Sequence, residues 1–317
     1  ISMGAGVQST TLALLVADGT LPAPRYAVFA DTGWEPHYVY EQLDRLDRAV
    51  LQPAGIELVR VGDGNIRDES IDRQYPMNLP LYTRVPDSNE RGGLLKRQCT
   101  SNFKLAPIFR WVREQLGGRA AEIPCRYCDG AGTRVVPWFA KAGDTRRGEC
   151  SVCRGTGVVH RVGPAPTGLW MKQWIGFSTD EIERVAPARV PYAVNEYPLL
   201  DLGMSRDDCL AYLDARGWGE TAKSACIGCP FHNDAEWRDM RDNRPADWAD
   251  AVEVDHAIRT IPGSVGMRGK AYLHAARVPL DEVNLGDDTG DDTDRPGCNP
   301  FGCRSGDPLE ITESLLD

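Results

Sequence analysis

The chain has 317 residues, 42% of them apolar and 26% charged, with a formal net charge of −10. That length allows one large or two ordinary domains at roughly 150 residues each, and no apolar run approaches the ~20 residues a membrane helix needs. Ile1-Ser2-Met3-Gly4 lacks the basic and apolar regions of an export signal, so a cytoplasmic protein is expected. Ten cysteines are too few for a short disulfide scaffold, and in a reducing compartment they point to metal ligands or reactive thiols.

The first sixty residues alternate strand and helix. Ile1–Met3 ends a strand, Gly4-Ala5-Gly6 forms a turn, and Gln8–Ala17 has the apolar content of a helix. Arg25–Ala30 (RYAVFA) is a second strand, His37–Val50 a helix, and Ile56–Val61 (IELVRV) a third strand. The order βαβαβ predicts an α/β fold, a Rossmann-like parallel sheet flanked by helices. Ligands of such sheets bind at the carboxyl ends of the strands, here the loops at 4–8 and 31–36. Residues 62–98 read as irregular, and Asn102–Leu116 as a helix. A small zinc-binding insert is expected at 119–161. Further expectations are a strand at Trp174–Phe177, a helical turn at Thr179–Val185 and a helix at Ser205–Ala215 capped by Ser205. Helices follow at Asp234–Met240 and Ala246–Ile261, with irregular chain beyond Pro279. The domain division is then 1–118 (core, first part), 119–161 (Cys₄ insert), 162–280 (core, second part) and 281–317 (acidic, Cys-containing tail). The stretch 281–295 holds seven acids against one Arg and reads as solvated. The insert holds eight Lys/Arg against four Asp/Glu, a basic island facing solvent or nucleic acid.

Within the insert, Cys125-Arg-Tyr-Cys128-Asp-Gly130-Ala-Gly132 recurs as Cys150-Ser-Val-Cys153-Arg-Gly155-Thr-Gly157. Two C-x-x-C turns supply the four thiolates of a closed tetrahedral Zn²⁺ site. Their glycines permit the positive φ that wraps backbone amides toward sulfur. The repeat resembles the cysteine-rich zinc modules of DnaJ-type chaperones, which implies a structural element and not chaperone activity.

The turn Gly4-Ala5-Gly6-Val7-Gln8-Ser9-Thr10 stands between strand and helix, where backbone amides and the helix N-terminus favour an anion. It is neither Walker A nor G-x-G-x-x-G. Asp31-Thr32-Gly33-Trp34-Glu35 sits at the end of the second strand. Together these segments resemble the adenine-nucleotide alpha-hydrolase superfamily, and within it the phosphoadenosine phosphosulfate (PAPS) reductases and PP-loop ATP pyrophosphatases. Arg97-Gln-Cys99-Thr-Ser-Asn-Phe-Lys104-Leu-Ala-Pro107 and Gly176-Phe-Ser-Thr-Asp180-Glu181-Ile-Glu-Arg184 are similar to two further segments of that family. The resemblance implies ATP or PAPS/APS as ligand, with Mg²⁺. Gly4, Ala5, Gly6, Gln8, Ser9 and Thr10 would then cradle phosphate, and Asp31, Thr32 and Gly33 would lie by ribose or adenine. It makes Lys104, Arg184 and Asp31 the candidate catalytic residues. Arg would bind oxyanions bidentately and Lys as a point charge. Gln8 stands where the family usually has an acid, and the reductases' C-terminal Glu-Cys-Gly-x-His segment is absent. The implied activity is adenylation-linked sulfur transfer, with a nucleic-acid substrate or a sulfur-donor protein as partner. The alternatives are a sulfonucleotide reductase and an inactive nucleotide- or nucleic-acid-binding module.

The remaining cysteines are Cys99, Cys209, Cys226, Cys229, Cys298 and Cys303. Cys99, Cys226 and Cys229, with Cys303 or Cys298 as fourth ligand, resemble the [4Fe–4S] ligands of iron–sulfur adenylylsulfate reductases and of the ATP-pyrophosphatase component of DNA phosphorothioation systems. A second Zn site and uncoordinated thiols remain open for this group. Cys209 is expected to be a buried small hydrophobe, and Trp170 and Trp174 to pack in the core.

Overall fold

The computed structural model describes residues 1–71, 78–85, 92–135, 147–150, 152–221, 224–260 and 269–286. Among these residues no helix is long and apolar enough to cross a membrane.

The fold is mixed α/β. Strands β1 (Ser2–Met3), β2 (Tyr26–Ala30) and β3 (Glu57–Val61) form a parallel sheet in the order β1-β2-β3. The sheet pairs Met3 with Phe29 and Ala30 with Val61. Successive side chains of a strand point to opposite faces, so β2 divides its residues between two cores. Ala27 and Phe29 join α1 (Val7–Ala17) and α2 (His37–Leu46), together with Cys209 and Leu213 of α6 (Arg206–Asp214). Val28 and Ala30 join Ile108, Phe109 and Val112 of α4 (Ala106–Gln115), with Tyr192 and Ala193. Burial on both faces explains why RYAVFA is an unbroken apolar run rather than an alternating one. Two helices adjoin a π-helical stretch: Asp47–Leu51 continues α2, and Thr100–Leu105 leads into α4.

A second pair of parallel strands, β9 (Met171–Trp174) and β10 (Ala193–Glu196), replaces the strand expected at Trp174–Phe177. Pairing runs from Met171↔Ala193 to Trp174↔Glu196. The next residues leave the strand to cross the start of α1, so the ladder ends where the chain must turn. Ser205 caps α6 as expected, accepting from Asp208 N at 3.1 Å in a capping box. The intervening α5 (Pro198–Asp201) begins on a proline, whose missing N–H costs nothing there.

The remaining core is a helical lobe. It gathers α3 (Ile66–Ile71), α7 (Asp234–Asn243) and α8 (Pro245–Thr260) with the antiparallel pair β4 (Tyr82–Arg84) and β11 (Lys270–Tyr272). Trp34, Phe103 and Ile227 belong to this lobe, so the loop after β2 bridges sheet and lobe. Cys209 is fully buried in the first core, as expected, and burial pushes its thiol up to about 11. Trp174 packs against that core, but Trp170 is 52% exposed, contrary to the expectation of core packing.

The described residues of 119–161 form two antiparallel ribbons. β5 (Ala120–Pro124) pairs with β8 (Val158–Val162), and β6 (Thr133–Val135) with β7 (Arg147–Glu149). The chain enters and leaves the ribbons side by side, where Gly163 N donates to Arg119 O at 3.0 Å.

Candidate functional site

The cysteine group is built by two turns that complete each other. The amide of Cys125 donates to Gly157 O and that of Cys150 to Gly132 O, each at 2.8 Å. The closest approaches are reciprocal as well. A Cβ on Gly132 would lie 2.2 Å from Gly155 O, and one on Gly157 would lie 2.2 Å from Gly130 O. Both positions also have φ near +75° (72° and 77°), so glycine is required twice over. Asp129 and Arg154, each following the second cysteine of its turn, adopt φ of 50° and 52°. All four thiols are buried, and their sulfurs lie within 4.8 Å of one another. Sγ–Sγ distances are 3.8 Å for Cys125–Cys150 and 3.5 Å for Cys128–Cys153. Four thiolates at about 2.3 Å from one ion would stand about 3.8 Å apart, so the donor set fits a single metal ion. Such a group could bind zinc or an iron–sulfur cluster. Burial pushes the Cys125 thiol up to about 12. Burial also works to raise Cys150, but amide donors from Cys153 and Val152 outweigh it and bring that thiol down to about 7.

The carboxyl edge of the sheet is assembled from distant segments. Ala5 turns the chain after β1 with φ of 55°. Ser9 then folds back, its hydroxyl donating to Gly6 O at 3.1 Å and accepting from Gly4 N at 3.3 Å. Thr10 Oγ1 is buried with no hydrogen-bond partner among the described residues. A Cβ on Gly176 would lie 3.2 Å from Gln8 Cβ, so the segment after β9 crosses directly over this first helical turn. Gln8 Nε2 donates to Glu181 Oε2 at 3.3 Å, and Glu181 also pairs with Arg184. Burial raises the Glu181 carboxyl, with Arg184 opposing. The Arg184 guanidinium lies 4.5 Å over the Phe177 ring, which stacks on Tyr197.

At the end of β2, Asp31 Oδ1 accepts from Gly33 N at 2.7 Å and from Tyr40 OH at 2.8 Å. The carboxylate thereby shapes its own loop, and burial together with Asp31 raises the Tyr40 phenol. Thr32 Oγ1 lies 3.1 Å from Glu35 Oε1 and 3.2 Å from Cys226 Sγ. Cys226 Sγ is 3.3 Å from the same Glu35 oxygen, and Lys104 Nζ is 3.8 Å from it. Glu35 and Lys104 are both buried, while Glu35 Oε2 has no hydrogen-bond partner among the described residues. Cys226 is held there by two contacts. Ile227 N donates to Trp34 O at 2.9 Å, and the His232 ring nitrogen lies 2.9 Å from Cys226 O.

The structure therefore places Gln8 with Arg184 through Glu181, and Thr32 with Lys104 through Glu35. Neither carboxylate had a role in the sequence reading. Each stands near other acids in the chain, Asp31 beside Glu35 and Asp180 and Glu183 beside Glu181, so nothing local singles it out. Among the described residues, the insert cysteines are the one group of three or more Cys, His, Asp or Glu close enough to hold an ion. Cys99 is half-buried against the helical lobe and Cys229 is half-buried near Cys226, while Cys298 and Cys303 lie outside the described residues.

A cleft of about 640 Å³ separates the cysteine turns from the core. Its walls include Arg126, Tyr127, Arg154 and Arg161 on one side and Asp63 and Glu69 on the other. No protein-family model, curated protein or solved structure matches this chain.

Proposed function

We propose that the chain is a nucleotide-dependent enzyme of the PAPS reductase and PP-loop type, binding ATP or an adenylyl sulfate at the carboxyl edge of its sheet. The observation that carries the reading is the convergence there of the Gly4–Thr10 turn, the Asp31–Glu35 loop, the Gly176–Arg184 segment and Cys226. An 11-residue helix opening on a tight, small-residue turn offers free amides and a partial positive charge to a phosphate. Lys104 and Arg184 are the cations of the site, each held beside a buried carboxylate that fixes its position. In this reading a bound nucleotide draws those cations toward its oxyanions, and Asp31 holds the loop that meets the ribose or adenine.

The reaction is adenylation-linked sulfur transfer, onto a nucleic-acid acceptor or from a sulfur-donor protein. The basic face of the insert supports an acidic acceptor. Zinc on Cys125, Cys128, Cys150 and Cys153 would supply shape, since a closed Cys₄ site leaves no open position for chemistry. A [4Fe–4S] cluster on Cys99, Cys226 and Cys229, with Cys303 or Cys298 as fourth ligand, would supply electrons or sulfur at the edge. Cys226 beside Thr32 and Glu35 supports a role for sulfur there. Pyrophosphate release from ATP by anaerobically purified protein is the expected result. Sulfite formation from an adenylyl sulfate without ATP use would replace the transferase by a reductase. Metal analysis is expected to give about one zinc with about four iron and four sulfide per chain. Two zinc and no iron would remove the cluster.

A second reading, nucleotide binding without turnover, is favoured by one observation. Gln8 is committed to Glu181, where an acid would be needed to handle Mg²⁺ directly. Nucleotide affinity with no product under anaerobic conditions would select it.

A further inference from the structure

We infer that Arg154 is a positioning residue: it carries the state of the four-cysteine site to the Asp31–Gly33 loop. The inference rests on the nucleotide reading for the ligand it would affect, but not for the contact path itself.

The path is continuous. Arg154 directly follows the ligand candidate Cys153 and takes a left-handed conformation with φ of 52°, so its backbone direction is set by the turn. Its side chain leaves the insert and reaches the loop after β3. There its guanidinium pairs with Glu69, Nε to Oε1 at 3.0 Å, and Glu69 is buried. The same guanidinium lies close against Gly64, where a Cβ would stand 2.2 Å from Arg154 Nη1 and where φ is 98°. The next residue, Asn65, touches the candidate nucleotide loop. Its Nδ2 donates to Gly33 O at 2.8 Å, and a Cβ on Gly33 would lie 2.9 Å from Asn65 Cα. Ile66 N donates to Thr32 O at 2.9 Å, and Gly62 packs against Asp31 O. From Cys153 to Asp31 the links are an ion pair, close approaches to glycine backbone and hydrogen bonds.

The loop is held from two sides with different dependence on the metal. From the core, Arg110 of α4 grips Asp63 with both guanidinium nitrogens, at 2.6 and 2.7 Å. From the insert, Arg154 reaches it at Gly64 and pairs with Glu69 just beyond. Arg110 is fixed by an α-helix and keeps its place whatever the cysteines hold. Arg154 is fixed by a turn whose four buried thiols pack around the position of an ion. Removing the ion frees the turn first, and Arg154 with it. The loop then loses the brace nearest Asn65 while keeping the one at Asp63. Coupling between sites needs an element with two arrangements that both sites bias, and here that element is the Arg154 turn, ordered with an ion and freed without it.

The test is hydrogen–deuterium exchange on the full chain, zinc-loaded and after chelation. Wild type, Arg154→Gln, Arg154→Lys and Glu69→Gln are compared, with ATP and adenosine 5′-phosphosulfate affinities by calorimetry beside them. In wild type, chelation is expected to raise exchange over 62–69 and 31–35 as well as over the cysteine turns, leaving α6 unchanged. Zinc-loaded Arg154→Gln is expected to show the raised exchange over 62–69 and 31–35 while keeping its zinc. It should also bind nucleotide roughly five- to tenfold more weakly, the low end of couplings between sites. Arg154→Lys keeps the charge for Glu69 but not the guanidinium against Gly64, so it should recover part of the protection. Zinc-loaded Arg154→Gln with wild-type exchange over both loops overturns the inference. If Arg154→Gln cannot hold zinc, Glu69→Gln tests the same contact from the core side, and wild-type exchange there overturns it equally. If wild type binds neither nucleotide, the functional reading fails, and the exchange data still decide the coupling.

Discussion

The two cysteine-bearing regions are built on opposite plans. In the insert, the contacts that join the two turns run between two copies of one eight-residue pattern, reciprocally: Cys125 N to Gly157 O and Cys150 N to Gly132 O. At the sheet edge, Cys226 meets Thr32 and Glu35, which are 194 and 191 residues away in the chain. The insert site is governed by backbone conformation, since glycines at positive φ let two turns interlock. The edge is governed by buried charge, since Glu35 and Lys104 are buried together with their charged atoms 3.8 Å apart. Damage should therefore spread differently. A fault in the insert should cost metal and local order, and a fault at the edge should cost the whole fold.

The largest effect is expected at the edge. Lys104→Met leaves Glu35, whose side chain is 2% exposed, without its cation. Breaking a buried pair from one side costs about 3–5 kcal/mol, because an uncompensated charge remains. Adding Glu35→Gln should recover much of that loss, since replacing both partners removes the stranded charge. Urea unfolding of the single and double variants measures both. A single variant as stable as the parent would show that the pair does not hold the edge together.

In the insert, Gly157→Ala should act through backbone and metal. Its Cβ would collide with Gly130 O, and its φ of 77° disfavours any side chain. Gly168→Ala is the matched control, with φ of 85° and nothing within 4 Å. Both carry the left-handed penalty of about 1–2 kcal/mol, but only Gly157→Ala should also abolish zinc binding. Equal metal content in the two would mean that the interlocking of the turns is dispensable. Cys150→Ser should lose the metal, whereas Cys226→Ser should leave the insert's metal in place. Metal content by mass spectrometry of the native protein separates them.

How much of this was readable from sequence follows the same division. The cysteine turns were legible because ligands, glycines and spacing repeat within 33 residues. The first three strands were legible because RYAVFA and IELVRV are short apolar runs separated by helical spacing. The strand near Trp174 was misplaced by three residues. Its register depends on β10, and Gly176, which looked like strand, is needed where the chain crosses Gln8. Strands β4 and β11 were missed because each is three residues long and pairs across more than 180 positions. Glu35 and Glu181 are not legible as site residues, since nothing local reveals that Lys104 and Gln8 are their partners. Trp170 was expected inside because tryptophan usually packs, yet in this fold it stands at the rim of a cavity of about 300 Å³ beside Trp111.

The smallest effect tests whether the sheet's helical face responds to charge at all. Asp18 ends α1 and reaches α6: Arg216 donates to it at 3.0 Å, Thr20 N at 3.1 Å, and Tyr212 OH also donates. Burial works to raise this carboxyl, but the hydrogen bonds from Thr20, Tyr212 and Arg216 outweigh it and hold it down to about 2, against an ordinary 3.8. A depressed carboxylate stabilises the fold above its unfolded value, and the contribution fades as pH falls through the folded one. The window is therefore about pH 4 down to pH 2. The side chain is 31% exposed, so the worth is that of a surface pair, about 0.2–1 kcal/mol. Asp18→Asn should lower stability by that amount at pH 7 and by progressively less as pH falls from about 4 through 2, and the difference should shrink in high salt. A constant difference from pH 7 to pH 2 would mean that the α1–α6 contact is held by packing around Cys209 and Leu213 and owes nothing to the charge.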